Sequence, residues 1–223
     1  IDIEQRDYVN DSNYKDEWYL FDSSKRFSQI FLNNESAFNS STVNSDIKGY
    51  FETNAKMTGT TFTSMTKERF IEEMTSASVF CAITHGGEKE NGLMISKTQN
   101  IILWQSEIES IPASSFSNVK VVVLSACHSG RAGGGSLVDT LINKGVDVVI
   151  GFREKVEQDT LVYWTQRLMY YLSCGNTVND SIRKSHKDLE NKYGDDQRYD
   201  PIIPLITEGL YYSTSDVSMR PCA

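Results

Sequence analysis

A cysteine and a histidine, each directly after a short apolar run, are the residues of this sequence best suited to covalent chemistry. The run 79–84 ends at His85, and the run 121–126 ends at Cys127. A cysteine thiolate is a strong nucleophile, and an imidazole can take or stabilise its proton. A glycine follows the histidine and another lies three residues after the cysteine. Such glycines permit sharp turns and leave backbone N–H groups free to face a developing oxyanion.

The two apolar runs are rich in β-branched residues and have the character of strands buried on both faces of a parallel sheet. In open α/β sheets, ligands bind at the carboxyl ends of the strands. His85 and Cys127 can therefore meet at one sheet edge, although they are far apart in sequence. The spacing predicts a nucleophile and its proton-transfer partner.

The rest of the chain alternates between strand-like and helix-like patterns, which indicates βαβ units and a mostly parallel sheet. Thr66 has the position of a helix N-cap, since an apolar stripe at helical spacing follows it. Strands are expected at 18–21, 29–32, 60–63, 79–84, 121–126, 146–150 and within 202–212, with a hairpin from 93–95 and 101–104; helices are expected at 43–57, from 66 onward, and at 105–110, 136–144, 157–173 and 177–192.

Composition limits the classes of function. The chain has 223 residues, 39% of them hydrophobic, which is enough to bury a sizeable core. Residues 1–17 are polar and acidic and are interpreted as an arm or linker, which leaves 18–223 as one domain. The formal net charge of −8 argues against nucleic-acid binding. We find neither a membrane-span pattern nor a signal peptide. The first residue, Ile1, indicates a processed or excised fragment.

The cysteine pattern favours free thiols. Four cysteines are present without a Cys-x-x-Cys pair, and three scattered histidines do not indicate zinc. Cys81 lies in the middle of a predicted strand and is interpreted as a core thiol. Reduced cysteines fit a cytoplasmic location, with a secreted, processed form as the alternative.

These motifs resemble the caspase-like cysteine peptidases. His85-Gly86 follows one apolar run, and Ser-Ala-Cys-His-Ser-Gly at 125–130 follows the next; the second motif resembles the CHAT proteases most closely, and its Cys-His-Ser-Gly portion also matches metacaspases. Residues 145–151 and Asp159-Thr160 resemble the next strand and helix start of CHAT domains, within a resemblance that is best over about 66–189. The resemblance implies a caspase-like three-layer α/β sandwich with a mostly parallel central sheet flanked by helices.

The resemblance also implies a cysteine endopeptidase. Cys127 would form an acyl-enzyme, His85 would act as general acid and base, and the N–H groups of Gly86 and Cys127 would face the oxyanion. The family requires neither a resident metal nor an organic cofactor, although some relatives depend on calcium; this sequence has no calcium-loop pattern. CHAT domains are commonly modules of longer chains switched by partners. We therefore expect a protein or peptide substrate and an activating or inhibitory partner.

Specificity is the least determined feature. Glu154 and Asp159 follow a predicted strand end and, with Ser125, are candidate substrate-binding residues for an Arg or Lys before the scissile bond. Metacaspases carry an acidic residue where this chain has Ser125, so the negative charge must come from elsewhere, or the preferred residue is not basic. A solvated acidic loop, interrupted by Arg153 and Lys155, is the more ordinary interpretation of 153–159.

Several competing interpretations remain. His128 is a second imidazole beside Cys127, but adjacent side chains diverge along an extended backbone. His186 is expected on a solvated helix face. The glycines at 133–135 lack a phosphate-loop pattern and are expected to form a mobile loop beside the cleft. The main functional alternative is a catalytically silent caspase-like interaction module regulated by a partner. An unrelated α/β hydrolase or thiol transferase would need a third catalytic group, which we do not find.

Overall fold

A six-stranded, mostly parallel sheet forms the centre of the fold. The computed structural model describes residues 18–21, 26–31, 40–87, 91–97, 99–131, 135–200, 202–207, 209–212 and 218–221; the expected arm at 1–17 lies outside them. The strand order is β3-β2-β4-β7-β8-β9, in which the first five strands are parallel and β9 is antiparallel. The strands are β2 (Arg26–Phe31), β3 (Thr58–Phe62), β4 (Val79–Ile83), β7 (Val121–Ser125), β8 (Val148–Phe152) and β9 (Leu210–Tyr212).

The central strands β4, β7 and β8 are buried along their whole length. Branched apolar side chains suit this position because both sheet faces are covered and the pleat holds their restricted rotamers well. Their alternating side chains contribute to two apolar clusters, one on each face of the sheet. The predicted parallel sheet is confirmed.

Helices cover both faces and complete three layers. On one face lie α1 (Ser40–Tyr50), α5 (Gln158–Ser173) and α6 (Val178–Tyr193), and on the other lie α2 (Lys67–Ser76), α3 (Gln105–Ser110) and α4 (Leu137–Asn143). Thr66 caps α2 by accepting a hydrogen bond from the Arg69 N–H, as its sequence position predicts. The expected helices at 136–144, 157–173 and 177–192 are also present.

Two small sheets lie outside the central one. The expected hairpin consists of antiparallel β5 (Gly92–Ser96) and β6 (Ile101–Trp104). The expected strand at 18–21 is β1 (Trp18–Phe21), which pairs in parallel with β10 (Ser218–Pro221). Among the described residues, no helix is both long and apolar enough to cross a membrane.

A strand is present within 202–212, as expected, but it occupies only the last three residues of that segment. A short helix, α7 (Ile203–Thr207), precedes the three-residue strand β9. Pro204 is compatible with the first turn of a helix, where its missing N–H has no intrahelical acceptor, and it disfavours a continuous strand. The helix expected over 43–57 is present, but it is not α-helical throughout. The α-helix α1 continues into a π-helical turn at Phe51–Ala55, which ends at Lys56, whose backbone is left-handed.

Candidate active site

The ends of β4 and β7 bring the predicted histidine and cysteine to the same sheet edge. The two strands pair in register up to Ile83 and Ser125, and the Thr84 N–H donates to the Ser125 carbonyl at 3.1 Å. His85 lies two residues beyond the first of these positions, and Cys127 two residues beyond the second. The sheet thus makes neighbours of residues that the sequence separates, at the edge where α/β folds bind ligands.

Gly86 is in unusually close contact with the candidate nucleophile. A Cβ atom added at Gly86 would lie 1.8 Å from the carbonyl oxygen of Cys127, a distance that no side chain can occupy. The same segment pairs with β5, since the Met94 N–H donates to the His85 carbonyl at 2.9 Å and the Gly87 N–H to the Gly92 carbonyl at 3.2 Å. Glycine at position 86 is therefore a packing requirement of this site.

Cys127 is half-buried, and its thiol is directed toward the segment after β8. Its Sγ lies 3.6 Å from the carbonyl oxygen of Val156, to which the S–H can donate a weak hydrogen bond. Within the described part of the chain, neither the Cys127 N–H nor the Gly86 N–H donates a hydrogen bond to another residue. The two N–H groups assigned to the oxyanion remain available to a ligand.

The His128 ring is directed away from residues 84–87, which we call the histidine loop, although the physical reason differs from the predicted one. Its backbone is left-handed, with φ of 58°, rather than extended. Its Nδ1 lies 3.2 Å from the carbonyl oxygen of Arg153, and its own N–H donates to the Glu154 carbonyl at 3.2 Å. A carbonyl only accepts, so the Nδ1 atom carries a proton, and this bond holds the ring against the segment after β8.

Residues 126–130 form the turn that we call the cysteine loop. Ser129 joins this loop to two strands. Its Oγ lies 2.9 Å from the carbonyl oxygens of both Leu124 and Ala126, which share its proton, and it accepts a hydrogen bond from the Phe152 N–H at 3.0 Å. The hydroxyl is 1% exposed, so it has little opportunity to exchange these partners for water. The loop that carries Cys127 is consequently joined to both β7 and β8.

The three candidate substrate-binding residues occupy different environments. Ser125 is fully buried, and its hydroxyl forms a hydrogen bond with Thr165 of α5 at 2.7 Å. Glu154 and Asp159 are exposed on either side of Val156, whose carbonyl contacts the Cys127 thiol. The two acidic residues thus lie within three positions of a residue that contacts the Cys127 thiol, whereas Ser125 is enclosed by the packing of this structure. The roles of all three in substrate binding stay predictions.

Sequence reasoning missed the partners that orient these groups. The main-chain carbonyls of Arg153, Glu154 and Val156 carry no signature in the sequence. The one available signal was Thr165, a polar residue on an otherwise apolar face of α5.

Burial explains the state of Cys81 and of His186. Cys81 is fully buried, which confirms its assignment to the core and raises the pKa of its thiol. The expectation of a solvated His186 is wrong: it is half-buried with its ring centroid 5.8 Å from that of Trp164, and burial lowers its pKa to about 4. No three His, Cys, Asp or Glu side chains of the described residues form a metal-binding group.

Comparison with solved structures identifies the architecture. No protein-family model matches the sequence, and no curated protein matches it. Saccharomyces cerevisiae separase, in its complex with securin, aligns with 87% of this chain at 16% identity and a TM-score of 0.58. Gingipain R, an Arg-specific cysteine proteinase, covers 88% at 13% identity and a TM-score of 0.60. The Drosophila initiator caspase Dronc covers 90% at 12% identity and a TM-score of 0.55.

The lengths of these proteins differ greatly. The chain spans 12% of the separase chain, 47% of the gingipain chain and 85% of the Dronc chain. All three are proteases of the caspase fold, and the shared part contains the mostly parallel central sheet with its flanking helices. This chain therefore has the caspase-like α/β fold.

Proposed function

We propose that this chain is a cysteine endopeptidase of the CHAT type, with Cys127 as nucleophile and His85 as general acid and base. The proposal rests on the register of β4 and β7, which brings these two residues to one sheet edge with Gly86 packed against Cys127. The caspase-like fold and the cysteine proteases that share it support the same reaction class.

The site can perform acyl transfer without a cofactor. The Cys127 sulfur would attack the peptide carbonyl, and the carbonyl oxygen would receive hydrogen bonds from the N–H groups of Gly86 and Cys127. His85 would accept the proton of the Cys127 thiol and deliver it to the leaving amine as the acyl-enzyme forms. A water molecule, deprotonated by His85, would then hydrolyse the thioester and regenerate the thiol.

We also propose control by a protein partner. Separase is found in a complex with securin, and the gingipain of Porphyromonas gingivalis in a complex of its pro- and mature domains. In both complexes, a protease of this fold is bound to another protein or domain. An activating or inhibitory chain is therefore the kind of partner to seek for this protein, alongside its peptide substrate.

The assignment of His85 can be tested against the second imidazole. We expect His85→Ala to lower kcat/KM for peptide hydrolysis by about 10²- to 10⁴-fold, because general acid–base catalysis contributes that much. His128→Ala, which removes a ring bonded to the Arg153 carbonyl, should cost less than about tenfold. Steady-state kinetics on a fluorogenic peptide would measure both. An inactive His128→Ala with an active His85→Ala would contradict the assignment.

The same preparations distinguish an enzyme from a silent interaction module. Peptidyl acyloxymethyl ketones of varied sequence should label the wild-type protein at Cys127. A folded wild-type chain that no ketone labels, with or without candidate partners, would favour the silent module.

The proposed preference is for Arg or Lys before the scissile bond. Glu154 and Asp159 are exposed beside the segment that contacts Cys127, and charge-assisted hydrogen bonds from a substrate cation would be favourable there. In a positional-scanning library, peptides with a basic residue at that position should be hydrolysed fastest. Combining Glu154→Gln with Asp159→Asn should lower the ratio of their hydrolysis rate to that of the other peptides about tenfold. Glu52→Gln is the control, because Glu52 lies in the π-helical turn before β3 and not in the segment after β8. A preference for apolar or acidic residues would overturn this specificity alone.

A further inference from the structure

An open cleft of about 500 Å³ lies beside the hairpin that follows His85. Its described lining residues are Asn91, Trp104, Gln105, Ser106 and Glu109, and we call it the Trp104 cleft. Its position is fixed by hydrogen bonds: the Gln105 N–H donates to the Asn91 carbonyl at 2.8 Å, and the Asn91 side-chain amide donates to the Gly135 carbonyl at 2.6 Å.

The Trp104 cleft is connected to both halves of the candidate active site. On one side, Gly92, next to Asn91, receives the hydrogen bond from the Gly87 N–H in the histidine loop. On the other side, Gly135 belongs to the segment that follows the cysteine loop. The cleft thus lies on the β4 side of Cys127, whereas Val156, Glu154 and Asp159 follow β8 on the opposite side.

This position decides which part of a substrate can reach the cleft. In the proposed reaction His85 protonates the leaving amine, so the leaving nitrogen must face the histidine loop. The polypeptide after the scissile bond therefore departs over the β4 side. The Trp104 cleft adjoins that side, because the Gly87 N–H bonds to Gly92, the strand partner of Trp104, whereas the two acidic residues follow β8 on the other side of β7.

The walls of the cleft favour a cation. Glu109 is the one charged group among its described lining residues, and its carboxylate accepts a hydrogen bond from the neutral Gln105 amide at 2.8 Å. Lys144 is nearby, but its ammonium is bound by the main-chain carbonyls of Glu109 and Ile111, at 2.6 and 2.7 Å. The Glu109 carboxylate therefore keeps its capacity to bind a ligand cation.

The indole supplies the second attractive element. The Trp104 ring packs against Gly92, where an added Cβ would lie 2.7 Å from the ring, and part of the ring lines the cleft. Tryptophan is the best aromatic partner for an ammonium or guanidinium group. The neighbouring Glu107 does not compete for a ligand, because Lys67 already pairs with it at 2.8 Å.

We infer that the Trp104 cleft is a substrate subsite that binds a Lys or Arg side chain located after the scissile bond. The inference rests on the proposed peptidase function and extends it to the leaving-group side. The cationic head would pair with Glu109 while its stem lies along the indole of Trp104.

Matched quenched peptides provide the test. The residues before the scissile bond stay fixed, and each position after it carries Lys, Arg, Leu or Glu in turn. For wild type we expect Lys or Arg to exceed Glu in kcat/KM by about tenfold at one position. Glu109→Gln should reduce that ratio about threefold, and Glu109→Lys should reverse it. Glu52→Gln, whose carboxylate lies beside Gly59 at the start of β3 and pairs with Lys48, should leave it unchanged.

A second variant and a second readout separate this inference from the peptidase proposal. Trp104→Leu should lower the Lys-to-Glu ratio about threefold, while its rate of labelling by a peptidyl acyloxymethyl ketone stays within about twofold of wild type. The acyloxy leaving group of the ketone carries no cation and is the same for both proteins, so labelling reports the reactivity of Cys127 without a charged residue in the cleft. A labelled enzyme with a flat profile after the scissile bond overturns the cleft assignment alone. Absence of both labelling and cleavage overturns both proposals.

Discussion

Replacement of Cys127 by alanine is expected to abolish peptide hydrolysis and leave the fold intact. The variant removes the only atom that can form the proposed acyl-enzyme, so the residual rate should fall below the detection limit. The structural loss is small: the 3.6 Å approach of Sγ to the Val156 carbonyl, and the packing of one half-buried sulfur against the core. We expect a Tm within about 3 °C of wild type, which corresponds to less than about 1 kcal/mol for a domain of this size.

Three measurements check this expectation together. Fluorogenic peptide hydrolysis gives the rate, thermal denaturation gives the Tm, and mass spectrometry after ketone treatment locates the modified residue. Cys174→Ala is the matched control, because Cys174 is an exposed thiol at the end of α5, and its loss should change neither rate nor labelling. Undiminished hydrolysis by the Cys127→Ala protein would remove Cys127 from the mechanism.

Gly86→Ala is expected to have the second largest effect. The new methyl group would meet the Cys127 carbonyl oxygen at 1.8 Å, and a backbone atom cannot retreat as a flexible side chain can. The histidine loop must shift by more than an ångström, and shifts of that size at a reacting centre cost about 10²-fold. Displacing the Gly86 N–H from the oxyanion would cost a further 10²- to 10³-fold, roughly. We expect kcat/KM to fall at least about 10²-fold.

A second glycine provides the control for this substitution. Gly49 lies inside α1, and a Cβ added there meets nothing within 4 Å. Gly49→Ala should keep full activity and gain up to about 1 kcal/mol of stability, because alanine favours the helix. Equal activity of Gly86→Ala and Gly49→Ala would show that the close approach at Gly86 is not needed for the reaction.

The sequence predicted the parts of the fold whose signals are local. β4 and β7 were recognisable because strands buried on both faces need uninterrupted β-branched runs. The start of α2 was recognisable because Thr66 supplies an acceptor for an orphan N–H of the first turn. The segment 202–212 was harder, since a short apolar run containing proline is compatible with either a helical turn or an edge strand.

The candidate site was also predictable from the sequence only in part. The residue types at 85 and 127 indicated chemistry, and their strand-end positions indicated proximity. The left-handed backbone of His128 was not predictable, because it follows from hydrogen bonds between its loop and the segment after β8. The partners of Glu109 and the packing of Trp104 against Gly92 depend on how the hairpin folds back, which no local pattern specifies.

The hydroxyl of Ser129 has a consequence for how ligands bind. One buried group joins the carbonyls of Leu124 and Ala126 to the N–H of Phe152, so residues 126–130 are held in place as soon as the sheet forms. The entropic cost of fixing that loop is met during folding and does not reduce the affinity of each ligand. If Cys127 is the nucleophile, as we propose, an electrophile delivered to it would meet a preorganised group, and inhibitor potency there would depend on the shape and reactivity of the inhibitor.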